Sequence, residues 1–185
     1  MVFLPNLLFL SLATFYLCVS CYGRSTGKKA DIVFKYVEKC PRDMKTEWNY
    51  TLKTSKLSRT KTQVSFSALT KEPLDDKLKA DLMVSIWTNG GWKSNFFHFV
   101  VTGLCTALKT KMKKVMQKLA TDSNFTMGCP IRKGELRMNN FLVDMKDYGS
   151  YPVIPYSKLR VTTMLLRGNV RLVCTNSFLD IEPSI

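Results

Sequence analysis

The chain holds a single histidine, His98, and none of Cys40, Cys105, Cys129 and Cys174 stands at C-x-x-C spacing from another, so neither a zinc site nor a dithiol redox motif is supported there. There is no serine nucleophile elbow and no glycine-rich phosphate loop, which leaves acyl transfer and nucleotide chemistry without their usual scaffolds. His98 sits in the apolar stretch NFFHFVV, where a partly buried structural imidazole is the simplest reading. Acid is also scarce: 14 Asp and Glu stand against 28 Lys and Arg. The acids Glu72, Asp75 and Asp76 cluster beside Pro73 and read as surface charge in a loop. No enzyme and no cofactor is implied.

Charge is missing altogether from Met1 to Tyr22, and the run VFLPNLLFLSLATFYLCV is almost wholly apolar. Small residues follow at Ser20 and Gly23, and then Arg24, Lys28 and Lys29. A short apolar core followed by small residues is the pattern of a cleaved signal peptide. A retained anchor is the competing reading, since a span needs about 18 residues, but Pro5 and Asn6 near the start weaken it. No later segment approaches a membrane span. Cleavage after Ser20 would leave five cysteines, whereas cleavage after Gly23 leaves four (40, 105, 129 and 174), an even set that can pair completely. The expected organisation is a signal peptide over 1–23 and a single secreted domain over 24–185. Four cysteines allow three pairings, and spacing alone does not choose among them.

With secretion expected, Asn49-Tyr50-Thr51 and Asn124-Phe125-Thr126 become glycosylation acceptors, with both asparagines facing outward. The net charge of +14 lies wholly outside the apolar leader and implies attraction to something anionic. Nucleic acid is the usual partner of such charge. An extracellular, disulfide-bonded chain favours membranes, glycans, acidic ligands or a receptor instead, and no nucleic-acid partner is expected.

Alternation dominates what remains. DIVFKYVEKC reads as a strand, and TEWNYTLKTSKLSRTKTQVSFSALT alternates apolar with polar residues as half-buried strands do. Trp48, Tyr50 and Leu52 share a face, as do Val64, Phe66 and Ala68. Leu78, Ala80, Leu82, Val84 and Ile86 share another. Asn89-Gly90-Gly91 and Gly168-Asn169 are hairpin turns, residues that tolerate positive φ. A proline-pinned loop from Gly149 to Tyr156 precedes the last two runs. One stretch is helical: Leu104, Leu108, Met112, Val115, Met116 and Leu119 form an apolar stripe, with Cys105 on its buried flank. Lys109, Lys113, Lys114 and Lys118 occupy the opposite face, either as an ordinary solvated surface or as an anion- and membrane-facing one. Many strands, one helix and no β-α rhythm predict a mainly β fold: an antiparallel β-sandwich or β-cup with one amphipathic helix, stapled by disulfides.

Two further features concern a ligand. Phe96, Phe97 and Phe99 follow Trp87 and Trp92, and nine methionines are spread along the chain. Such residues build cores, but in a cup they also suit an adaptable apolar pocket. The order C-x-x-L-K, K-x-x-M, then S-N-F-T-x-x-C-P-I-R-K-G-E-L-x-x-x-N, followed by a proline-rich loop and a basic hairpin, resembles the insect chemosensory CheB proteins. These are grouped with the ganglioside-activator and ML (MD-related) lipid-recognition proteins. The resemblance spans Ile32 to Ile181 and is sharpest from Cys105 to Asn140. It implies a β-cup that binds a lipid, cuticular hydrocarbon or pheromone-like molecule outside cells. By alternation and family placement the expected cavity residues are Phe66, Val84, Ile86, Trp87, Phe97, Phe99, Met116, Leu142 and Met164. The resemblance also favours Cys40–Cys174, joining an early strand to the last, and Cys105–Cys129, joining the helix to the loop beyond it. The rival expectation is a basic extracellular interaction protein with a filled core, binding glycans, anionic membranes or a receptor.

Overall fold

Period-two alternation becomes strand pairing in the computed structural model, which describes residues 30–111, 117, 128–144 and 157–183. The elements are β1 (Ala30–Lys39), β2 (Tyr50–Lys56), β3 (Lys61–Thr70), β4 (Leu78–Thr88), β5 (Gly91–Val101), α1 (Leu104–Lys111), β6 (Gly134–Asp144), β7 (Lys158–Arg167) and β8 (Val170–Pro183). They build two antiparallel sheets, one of five strands in the order β1-β8-β7-β4-β5 and one of three in the order β2-β3-β6. The fold is mainly β with a helix and two disulfides, as the patterning predicts. Both hairpin turns form where expected, β4 to β5 at Asn89-Gly90 and β7 to β8 at Gly168-Asn169, with Gly168 at φ +57°. The apolar leader 1–23 and the proline-pinned loop lie outside the described residues. Among those described, no helix is long and apolar enough to cross a membrane.

The sheets face each other through the residues that alternation sends inward. Val64, Phe66 and Ala68 of β3 meet Leu78, Ala80, Leu82, Val84 and Ile86 of β4 in one core, with Trp48 and Tyr50. At one side the sheets converge, because β1 runs close to β2 and β3. There the free edge of β1 is covered in a specific way. Thr62 Oγ1 donates to the Phe34 carbonyl at 3.1 Å, and Thr54 Oγ1 both donates to the Val37 carbonyl (3.1 Å) and accepts from its N–H (3.3 Å). These threonines satisfy backbone groups that an edge strand, here with a bulge between Phe34 and Tyr36, would otherwise offer to another chain.

The first and last strands are stapled by Cys40–Cys174, with Cα atoms 5.4 Å apart across a sequence separation of 134. The Tyr50 hydroxyl reaches from the smaller sheet to donate to the Cys174 carbonyl at 2.5 Å. Burial of the phenol raises its pKa, so it remains a neutral donor. The second staple, Cys105–Cys129, ties α1 to the segment beyond it over a separation of 24. Nearby, Leu74 and Ile131 exchange two backbone hydrogen bonds of 2.9 Å. Leu74, Leu78, Leu104, Leu108 and Ile131 are all buried and plug that end of the sandwich.

Two sequence expectations change here. Asp76 is no idle surface acid: its carboxylate accepts from the Thr106 N–H at 2.7 Å and the Thr106 hydroxyl at 2.6 Å, anchoring the first turn of α1 from another loop. Those bonds, the hydroxyl first, hold its pKa below the usual carboxylate range. His98, expected to be partly buried, is exposed on the outer face of β5 and lies 2.8 Å from Asp81 Oδ1. The apolar residues around it alternate, so Phe97 and Phe99 turn inward and send His98 to solvent.

Candidate functional site

At the side of the sandwich opposite β1, the outer strands β5 and β6 make no approach comparable to that of β1 and β2 among the described residues. Phe97, Phe99 and Val101 of β5 face inward there, only partly buried yet packed against the core. Phe97 and Phe99 stack at 6.0 Å between ring centroids, and Phe96 meets Phe97 edge-on at 4.4 Å. Half-covered aromatics on an edge strand, aimed between two sheets, form an apolar lip. A bulge in β5 between the partners of Val84 and Ile86, with Asn95 at φ 56°, bends the strand next to it.

Pairing register extends this lip across the five-stranded sheet, because directly opposed residues share a face. One row runs Phe97, Val84, Val161, Ser177, Val37, and the next runs Phe99, Leu82, Thr163, Thr175, Lys39. Phe66, Val84 and Ile86, three of the expected residues, are buried on inward faces, and Phe97 and Phe99 are half-buried beside them.

Three other expected residues point away. Trp87 is on the outer face of β4 and is 47% exposed, since neighbours on a strand alternate and Ile86 takes the inward position. Met164 is paired with Cys174 and Asp81 on the outer face of the same sheet, because Val161, Thr163 and Leu165 hold the inward positions of β7. Leu142 is turned out by a bulge: Val64 and Phe66 pair with Phe141 and Met138, so β6 contains one extra residue between them. Asn140 (φ 52°) sits in that bulge and its N–H donates to Ser65 Oγ at 3.0 Å. Phe141 and Val143 consequently replace Leu142 in the core. Met116 lies outside the described residues.

The charged candidates divide similarly. Lys109 is exposed on α1, while Lys113, Lys114 and Lys118 lie outside the described residues. Asn49 is exposed at the start of β2, and Asn124 lies outside the described residues. Among the described residues no group of His, Cys, Asp and Glu is arranged to hold a metal.

Sequence reasoning overlooked the outer face of the larger sheet. Tyr36 stacks on Phe178 at 4.5 Å, Phe178 meets Trp92 edge-on at 6.0 Å, and Trp92 meets Trp87 at 5.3 Å. The Arg160 guanidinium lies 5.1 Å from the Trp92 ring, a cation–π contact within this strip. It also overlooked the inward hydroxyls of Thr163, Thr175 and Ser177, whose signal was a polar residue at an inward strand position.

Comparison with known proteins adds little. A family model described as "Protein of unknown function (DUF1091)" matches residues 78–158. A comparison with curated proteins returns no match. Among solved structures, the chain is similar to the crystal structure of chicken MD-1 complexed with lipid IVa, at 13% identity, with a TM-score of 0.37, covering 86% of this chain and 100% of that one.

Proposed function

We propose that this protein is a secreted carrier or presenter of a hydrophobic ligand, held between the two sheets and admitted beside β5. The observation that carries the reading is the pair Phe97 and Phe99: inward-facing, half-buried, and placed where, among the described residues, the two sheets make no close approach. With Phe66, Val84 and Ile86 deeper on the same inward faces, they offer a continuous apolar path. Capture is an equilibrium process in which an apolar tail leaves water at about 25 cal/mol per Å² buried. No bond is made or broken, so the reading includes no catalysis.

The resemblance over Cys105 to Asn140 suggests a chemosensory setting, with a lipid, cuticular hydrocarbon or pheromone-like molecule as ligand. The charge of +14 and the exposed Lys109 favour first contact with an anionic membrane or an acidic receptor surface, from which a ligand is taken or to which it is delivered. Titration with the apolar dye N-phenylnaphthylamine tests the reading. Saturable binding should be weakened by Phe97→Asp and Phe99→Asp and left intact by Trp87→Ala on the outer face. Absence of saturable binding, or equal loss in all three variants, would favour the filled-core interaction protein.

A further inference from the structure

The inward face of the larger sheet carries three hydroxyls where apolar atoms belong. Thr163 and Ser177 are 0% exposed and Thr175 is 2% exposed. Register fixes their direction. Thr163 lies opposite Leu82 and Thr175, Ser177 lies opposite Val161 and Val37, and Leu82, Val161 and Val37 all belong to the core. Thr163 Oγ1, Thr175 Oγ1 and Ser177 Oγ each have no hydrogen-bond partner among the described residues.

Elsewhere in the same sandwich, inward hydroxyls are satisfied. Thr62 Oγ1 donates to the Phe34 carbonyl and Thr70 Oγ1 to the Gly134 carbonyl, each at 3.1 Å, and the Tyr50 hydroxyl donates to the Cys174 carbonyl. Buried hydroxyls are nearly always paired, because stripping one of water without a replacement bond is costly. Three unpaired hydroxyls on adjacent strands therefore mark a place built to meet something polar.

We propose that these three hydroxyls recognise a hydrogen-bonding oxygen on the ligand: a hydroxyl, ester or ketone carried by an otherwise apolar chain, in preference to a pure hydrocarbon. The inference rests on the carrier reading and narrows it. Strands in a sheet lie about 4.8 Å apart, so Thr163 is about 10 Å in from β5, and Thr175 and Ser177 about 14 Å. A chain admitted beside Phe97 and Phe99 passes Val84, Leu82 and Val161 before it meets them. Hydroxyls both donate and accept, so they suit a carbonyl as well as an alcohol. The oxygen is uncharged, because these groups bring no charge to balance a buried carboxylate. Lys39, itself exposed, ends the Thr163–Thr175 row on β1, with its ammonium 4.5 Å from the Tyr50 ring centroid.

The experiment displaces N-phenylnaphthylamine with a long-chain alkane and with the ketone and alcohol of the same length. Wild-type protein should favour the oxygenated chains by about tenfold for each hydrogen bond made. A Thr163→Val, Thr175→Val, Ser177→Ala variant, checked for folding by its thermal melt, should bind the alkane as before and lose that preference. Equal affinity for alkane, ketone and alcohol in the wild type, or a preference that survives in the variant, overturns the inference and leaves the carrier reading intact. If the dye itself does not bind, the carrier reading falls and this inference falls with it. Should the triple variant not fold, Thr163→Val alone takes its place, with a partial loss of preference expected and an unchanged preference counting against the proposal.

Discussion

Removing each disulfide in turn separates the staple of the whole domain from the staple of one end. The chain-entropy relation scales with the logarithm of the closed loop, so a separation of 134 for Cys40–Cys174 corresponds to about 5 kcal/mol. The separation of 24 for Cys105–Cys129 corresponds to about 3.5 kcal/mol. Structure widens that gap. Cys174 is wholly buried, and the bridge joins β1 to β8 at one edge of the larger sheet. The end tied by Cys105–Cys129 keeps a second hold, the paired backbone bonds of Leu74 and Ile131. Cys40→Ala/Cys174→Ala should therefore lower the melting temperature by roughly 10–20 °C, at about 2–4 °C per kcal/mol for a domain of this size. Cys105→Ala/Cys129→Ala should lower it by roughly 7–14 °C at most, with the loss concentrated in amide protection of α1 and the segment around Ile131. Far-ultraviolet circular dichroism gives the melts and hydrogen exchange locates the loosening. The reasoning fails if the shorter loop proves the more stabilising, or if breaking it releases the β1–β8 amides before those of α1.

Three further outcomes are expected. The Asp76 pKa is lowered in the folded protein, so its contribution is present above the unfolded carboxylate value and is lost as pH falls through the folded one; exchange of the Thr106 amide should quicken in that acid range, and Asp76→Asn should remove the step. Phe141→Ala should cost about 3–5 kcal/mol in chemical denaturation, whereas Leu142→Ala should cost under about 1.5 kcal/mol; similar costs would contradict the face reversal at Asn140. Asn49 is exposed and its sequon threonine sits on the surface against Ser67, so Asn49→Gln should reduce the mass of the protein expressed through a secretory pathway by one glycan; an unchanged mass would show that site is unused.

Most of the architecture was legible in the sequence because strands of this fold keep strict period two. The β4 face from Leu78 to Ile86 and both hairpin turns follow directly from residue order. The candidate site was less legible, and its errors have local causes. Leu142 was misplaced by a single inserted residue, which reverses every side chain beyond it. Met164 falls in the run Met164-Leu165-Leu166, where consecutive apolar residues leave no alternation to read. Trp87 and Ile86 are adjacent, so only one of them can face the core. The role of Asp76 at α1 depends on a contact across 30 residues, which no local pattern records. The unpaired hydroxyls were visible as polar residues at inward positions of β7 and β8, but only the register shows that they gather in adjacent rows.

The central claim is that the space between the sheets holds a hydrophobic molecule. Native mass spectrometry of the protein, taken from its own tissue without delipidation, measures this directly. The account expects a polypeptide-plus-glycan mass accompanied by a small, non-covalent adduct that is released on denaturation and extracts into organic solvent. A bare glycosylated polypeptide, with no adduct under conditions that keep the fold intact, would contradict it.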